Sequence, residues 1–365
     1  MKPLFAATAL LLTAATGAHA ATEYTGDRID GVPVINRLDV GDLEAGKLHR
    51  FYLQGADTSI GQHWYVPVLV AKGAKPGKVI GLQTGVHGDE INGTQVVHRL
   101  FERLDPSALN GSVIAVVAAN STGILANSRY FQLQGDSGGG VDFNRIWPGK
   151  EKGNAAEQQV WRLFNGVWKG NSDIVVDLHT QSTGTTYPLY IYADYRVAGV
   201  KELAELVPAD MIKVDTGEPA AAEQAFNDVG MISITLEVGG PKVYQPELIA
   251  RSLVGIDNML KHYGLLAGKP GRTAKEQKTF IGNQTISVKA LKGGFAEILV
   301  GLGEDVKAGQ LLAVQRNGFG DIVARYTAPE DGRVASLATD PVREPGSLLV
   351  RLIRHNPDAA CREGC

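Results

Sequence analysis

KVIGLQTGVHGDEINGTQVVHRLFERL, residues 78–104, decides how the rest of the chain is read. Its first part is an apolar run entering a glycine-rich turn, the form of a buried strand. Its second part places Val96, Val97, Leu100, Phe101 and Leu104 at helical spacing. Strand, glycine turn and helix make up the repeating unit of an α/β layer fold. In such folds ligands collect outside the carboxyl ends of the strands. His87 and Glu90 sit in that turn, within HGDE.

The same alternation continues outward. SVIAVVAAN (112–120), DIVVDLH (173–179) and MISITLEVGG (231–240) read as buried strands. AAEQQVWRLFNGVW (155–168), KELAELV (201–207) and ELIARSLVGIDNMLKHYG (247–264) read as helices. Upstream, FYLQG (51–55) and HWYVPVLVAKG (63–73) alternate apolar and polar residues as half-buried strands do. The expectation is an α/β fold with a parallel or mixed sheet over residues 21–268.

The pattern changes near residue 265. AGKPGRTAKEQKT is polar, charged and helix-breaking, so residues 269–279 read as a linker. Residues 280–355 have no helical period and read as a small all-β domain, followed by a tail at 356–365.

The polar residues inside these apolar runs carry the chemistry. His179 closes the run IVVDLH, and Glu237 interrupts ITLEVGG. His87, Glu90, His179 and Glu237 supply what a catalytic zinc ion takes, two histidines and one carboxylate with a fourth position left for water or substrate, and a further carboxylate for the base. Each is weak alone: an H-x-x-E pair is often accidental, and His179 also fits a satisfied core histidine. Asp177 lies two residues before His179 on an extended strand, placed to orient a ligand imidazole or simply to cap a turn. A buried, unpaired Glu237 is costly. Its burial would raise its pKa into the range of a general base. Arg129, in ANSRYFQLQG (126–135), and Asn144 with Arg145, in VDFNRIWPG (141–149), offer donors matched to carboxylates and developing oxyanions.

Composition sets bounds. Of 365 residues, 44% are hydrophobic and 21% charged, which suffices for a buried core. The net charge of −3 gives no basic footprint and excludes nucleic acid as a partner class. Residues 1–20 combine Lys2, the apolar LFAATALLLTAA and an Ala18-His19-Ala20 cleavage site, the three parts of a secretory signal peptide. The apolar stretch is shorter than the ~20 residues a membrane span needs. The expectation is export to the periplasm or medium, with no membrane anchor after cleavage. Cys361 and Cys365 both lie in the tail CREGC. An oxidising compartment would let them pair, although a disordered terminus is the simpler expectation.

Taken in order, HGDE, ANSR…DFNR, DLHT and TLEVGG resemble the succinylglutamate desuccinylase/aspartoacylase family, within the wider zinc carboxypeptidase group. The likeness spans roughly residues 75–265. It implies a zinc-carboxypeptidase-like α/β/α sandwich with a mixed sheet, followed by a C-terminal all-β barrel-sandwich-like domain. It implies Zn²⁺ on His87, Glu90 and His179, and Glu237 as general base and acid. It assigns Arg129 to the carbonyl or oxyanion, and Asn144 with Arg145 to a substrate carboxylate. The partner it implies is a small anionic amide or peptide. An oligomer is left open.

The β segment carries a second resemblance. GEDVKAGQLLAV (303–314), APEDGRVASL (328–337) and EPGSLLVRL (344–352) resemble the lipoyl/biotinyl barrel-sandwich pattern. The carrier lysine has no counterpart in QRNGFGDIV (315–323), so the likeness implies the fold and argues against a carrier role.

Three functional readings follow. The first is an exported zinc amidohydrolase acting on an N-acyl amino acid. The second is a metallocarboxypeptidase on short or cell-wall peptides, with the same centre. The third is a non-catalytic periplasmic binding protein with a relict site.

Overall fold

The computed structural model describes residues 21–135 and 138–365. The signal peptide expected at 1–20 lies outside the described residues. Eleven strands form one mixed sheet: β1 (Glu23–Ile29), β2 (Val32–Arg37), β3 (Lys47–Asp57), β4 (His63–Lys72), β5 (Lys75–Thr84), β6 (Asn110–Val116), β7 (Ile174–His179), β8 (Leu189–Ala193), β9 (Met211–Val214), β10 (Ile232–Val238) and β11 (Phe280–Gly282). Their spatial order is β1-β2-β3-β4-β6-β5-β7-β10-β8-β9-β11. The four central strands β6, β5, β7 and β10 run parallel. Their carboxyl ends therefore lie at one edge of the sheet, where β5 delivers His87 and β7 ends on His179.

Helices cover both faces, as continuous apolar central strands require. One face packs with α1 (Asn92–Phe101), α4 (Val200–Glu205) and α6 (Pro246–His262), the other with α3 (Ala155–Leu163) and α5 (Ala222–Asp228). A short α2 (Ser121–Leu125) follows β6. The strands and the long helices match the sequence reading, with ends displaced by a few residues. The run after Leu163 continues as a wider helical turn over Phe164–Trp168. Helices α2 and α5 were not anticipated, because each is too short to show a period.

The linker and tail differ from expectation. Ala274–Gln277 form a helical turn with a Thr273/Glu276 capping box. Phe280–Gly282 pairs with β9, so the start of the expected all-β segment is an edge of the large sheet. The tail is ordered: Cys361 and Cys365 are disulfide-bonded. Asn283 Nδ2 donates to the Cys361 carbonyl at 2.8 Å, and the Cys365 N–H donates to the Asn283 carbonyl at 2.7 Å.

From Gln284 to Arg354 the described elements are all strands, arranged in two sheets around a separate apolar cluster that includes Leu312, Val334, Leu349 and Leu352. The strand Gly332–Ala338 pairs with Thr185–Thr186, which lies just beyond His179 in sequence. The Gln181 side chain donates to Ser336 Oγ at 3.1 Å, and the Thr339 N–H donates to the Gly184 carbonyl at 2.8 Å. The C-terminal sheets are thus stitched to the loop that leaves the candidate site.

Candidate metal centre and active site

The turn after β5 is held in shape by close packing. Gly85 has φ +68°, in the region glycine favours. A Cβ on Gly88 would overlap the Gly123–Ile124 backbone, so α2 packs directly on the turn. Behind it, Asn92 Nδ2 donates to the Val238 carbonyl at 2.7 Å, which ties α1 to the end of β10. These contacts fix His87 and Glu90 relative to Glu237.

His87, Glu90 and His179 converge, each offering an atom within 4.8 Å of the others. His87 Nδ1 lies 2.9 Å from Glu90 Oε1, and His179 Nδ1 lies 2.9 Å from Glu90 Oε2. The two Nδ1 atoms are 3.1 Å apart. All three residues are buried. The outer ring nitrogens face carboxylates: His179 Nε2 is 2.8 Å from Asp177 Oδ2, and His87 Nε2 is 3.0 Å from Asp142 Oδ1. Those contacts assign protons to Nε2, leaving Nδ1 lone pairs directed at one another and at Glu90. Two lone pairs and a carboxylate facing inward repel unless positive charge sits between them, so the donor set fits a divalent cation.

The electrostatics favour positive charge at the centre, a proton or a cation. Burial opposes a charge on His179, but the Asp177 and Glu90 carboxylates override it and raise its pKa well above the usual value. Burial works against ionised Glu90, yet His87 and His179 hold its carboxyl well below the usual range. Arg129 Nη1 donates to Glu90 Oε1 at 2.9 Å, and Nη2 donates to Asp142 Oδ2 at 3.2 Å.

Glu237 is the register neighbour of His179 on the adjacent parallel strand. It is only 9% exposed, and its Oε2 has no hydrogen-bond partner. Burial, opposed by His179 and Arg129, raises its pKa to about 8. A second buried carboxyl, Glu223 on α5, is also pushed up to about 8 by burial and accepts from Thr235 Oγ1 at 2.7 Å.

Most of these groups border a cavity of about 380 Å³. His87, Arg129, Asn144, Arg145, His179 and Glu237 line it, while Glu90 sits behind the two histidines. Asn144 does double work: its side-chain oxygen accepts the Ala222 N–H at 2.9 Å, at the start of α5. Arg145 is half-exposed and lies 3.6 Å from Glu218. From the segment after β7, Thr180, Gln181, Ser182, Tyr187 and, on β8, Tyr192 reach the cavity. Asp142, Glu223 and Arg351 were missed from sequence. Asp142 stood in the quoted VDFNR motif and could have been flagged there.

Comparison with known proteins agrees with the geometry. The succinylglutamate desuccinylase/aspartoacylase catalytic domain matches residues 76–263. The chain is 29% identical to the N-alpha-acetyl-L-2,4-diaminobutyric acid deacetylase of Halomonas elongata, over 81% of this chain and 88% of that protein. Among solved structures, the product-bound ectoine utilization protein EutE (DoeB) of Ruegeria pomeroyi aligns with a TM-score of 0.75 at 22% identity, covering 86% of this chain and 97% of that one. A succinylglutamate desuccinylase/aspartoacylase of Rhodobacter sphaeroides aligns with a TM-score of 0.73 at 22% identity, covering 86% and 98%. A mixed α/β sheet in this shared fold, with a His-Glu-His cluster at the carboxyl ends of its parallel strands, places the chain in the succinylglutamate desuccinylase/aspartoacylase family.

Proposed function

We propose that this protein is an exported, zinc-dependent amidohydrolase that removes the acyl group from an N-acylated amino acid. The observation that carries the reading is the placing of Glu237, buried and without a partner on Oε2, on the strand beside His179 at the rim of the convergent donor set. His87, Glu90 and His179 would hold the ion. When bound, zinc supplies Lewis acidity toward the amide carbonyl and lowers the pKa of a bound water toward 7.

The chain's own groups do the rest. Glu237 takes a proton from the attacking water and passes it to the departing amine nitrogen. Arg129 places a fixed positive charge beside the developing oxyanion. Asp177 and Asp142 hold the two imidazoles with their Nδ1 atoms turned inward. Asn144 and Arg145 add contacts at the carboxylate end of the substrate, which help to fix the scissile bond in the cavity.

The substrate class follows from the cavity. A volume of about 380 Å³ suits an N-acyl amino acid better than an extended peptide. Asp215 and Glu218 share the wall with Arg145. Carboxylates beside a cation suit a zwitterionic substrate bearing both an amine and a carboxylate. Nα-acetyl-L-2,4-diaminobutyrate, named for the Halomonas elongata protein, is such a molecule and is the first to test.

Export is supported by the residue pattern at 1–20 and by the Cys361–Cys365 pairing, which suits an oxidising compartment. The strand-only segment after Asn283 is read as a second, barrel-sandwich-like domain, on the strength of its own apolar cluster.

The test is a hydrolysis screen of the mature, zinc-supplied protein against N-acyl amino acids, dipeptides and muropeptides. Turnover of N-acyl amino acids with free amino acid released supports the reading. Turnover confined to peptides replaces it with the carboxypeptidase reading. Binding without turnover replaces it with the relict-site reading.

A further inference from the structure

The C-terminal strands contribute a cation to the active-site cavity. Arg351 lies on the strand Leu348–Arg354, and it lines the same cavity as His179 and Glu237. Its Nη1 donates to the Tyr187 hydroxyl at 2.5 Å and to the Tyr192 hydroxyl at 3.3 Å, and its Nε donates to Ser287 Oγ at 3.3 Å. These partners are all neutral hydroxyls. Among the described residues no carboxylate forms an ion pair with Arg351, whose side-chain partners are Tyr187, Tyr192 and Ser287. Arg145, the other cavity-lining cation near the rim, already has Glu218 beside it.

A guanidinium withdrawn from water without a counter-ion is costly, and it is the natural fork for a carboxylate. The surrounding framework holds it in place. Tyr187 stacks on Tyr190 with ring centroids 4.6 Å apart, and the Tyr187 and Tyr192 hydroxyls are 2.7 Å apart. The Tyr190 ring is fully buried, with no hydrogen-bond partner for its hydroxyl. Tyr190 is the register neighbour of Glu237 on the antiparallel strand β8. The tyrosines therefore span from the proposed base to the arginine.

We propose that Arg351, oriented by Tyr187 and Tyr192, is the principal anchor for the carboxylate of the substrate, so that the C-terminal segment sets specificity for a free carboxylate. The proposal deepens the deacylase reading and rests on it. It makes the strand pairing between Thr185–Thr186 and Gly332–Ala338 a functional contact, because that pairing docks the arginine's sheet against the cavity.

The test compares an N-acetyl amino acid with its primary amide, using zinc-loaded wild type, Arg351→Ala, Arg351→Gln and Arg145→Ala. Arg351→Gln removes the charge and keeps a polar, shorter side chain, so it stands in if the alanine variant does not fold. Replacing Arg351 should lower kcat/KM for the free carboxylate by about 10- to 100-fold, carried mostly by KM, and leave the amide nearly unchanged. Arg145→Ala, at the half-exposed cation already beside Glu218, should lose less of the discrimination than either Arg351 variant. Equal losses on both substrates would make Arg351 a structural strap, and unchanged discrimination would remove it from recognition. A binding arm separates this proposal from the activity: calorimetry of the same N-acetyl amino acid with zinc-loaded Glu237→Gln, with and without Arg351→Gln. Binding that Arg351→Gln weakens supports the anchor even if wild type hydrolyses nothing. Binding that is absent, or indifferent to Arg351, overturns it.

Discussion

Glu237 and His179 are register neighbours on adjacent parallel strands. The proposed base is brought to the ligand cluster by sheet register alone, without a loop. A one-residue slip would turn Glu237 to the opposite face. Because the strand holds it, Glu237→Gln should fold normally and retain metal, while kcat falls by about 10²–10⁴-fold. Metal content and turnover measured on the same preparation check this, and near-normal turnover would pass the proton's handling to another group.

The two outer carboxylates should matter for the ion more than for folding. Asp177→Asn or Asp142→Asn leaves a side chain of the same size but weakens the hold on an imidazole Nε2–H. Loss of such a partner typically lowers metal affinity by about 10–100-fold. Competition with a fluorescent chelator measures it. Wild-type affinity in both variants would show that the rings are oriented by packing instead.

Burial raises the Glu237 carboxyl to about 8. In cation-stripped protein its infrared carboxylate band, identified against Glu237→Gln, should therefore grow in near that pH. Loading a divalent cation favours the charged form and should move the midpoint down. A midpoint near the ordinary value of 4.5 in the stripped protein would contradict the desolvation argument.

Glu223 gives a stability counterpart. Its folded pKa of about 8 lies above the ordinary value of 4.5. The native state therefore keeps a proton that the unfolded chain has lost between those pH values. Stability tied to this group is complete below about 4.5 and is lost as pH rises toward 8. Glu223→Gln does not titrate and can keep the contact to Thr235. Its Tm relative to wild type should therefore climb from pH 5 to pH 8, by an amount equivalent to roughly 2–4 kcal/mol. A pH-independent difference would mean that Glu223 is ionised in the fold.

Much of the site was legible because its members interrupt or end apolar runs. His179 and Glu237 stand in strands that are mostly apolar, and His87 in the turn that follows one, so a titratable residue there demands a reason. The α/β alternation was legible for the same cause. Arg351 was not, because within LLVRLIR it reads as an ordinary outward residue of an alternating strand. Only the packing of two distant segments shows that its side faces a cavity. Glu223 lies on a helix too short to show a period, and the ordered tail depends on contacts with Asn283, 73 or more residues upstream.

The central claim is that amide hydrolysis depends on one ion held by His87, Glu90 and His179. Its most direct measurement is hydrolysis of an N-acetyl amino acid by metal-stripped protein as zinc is added back. Activity should return and level off at one zinc per chain, and His179→Ala should remain inactive at the same addition. Full activity in the stripped protein, or in His179→Ala without bound zinc, would contradict the account.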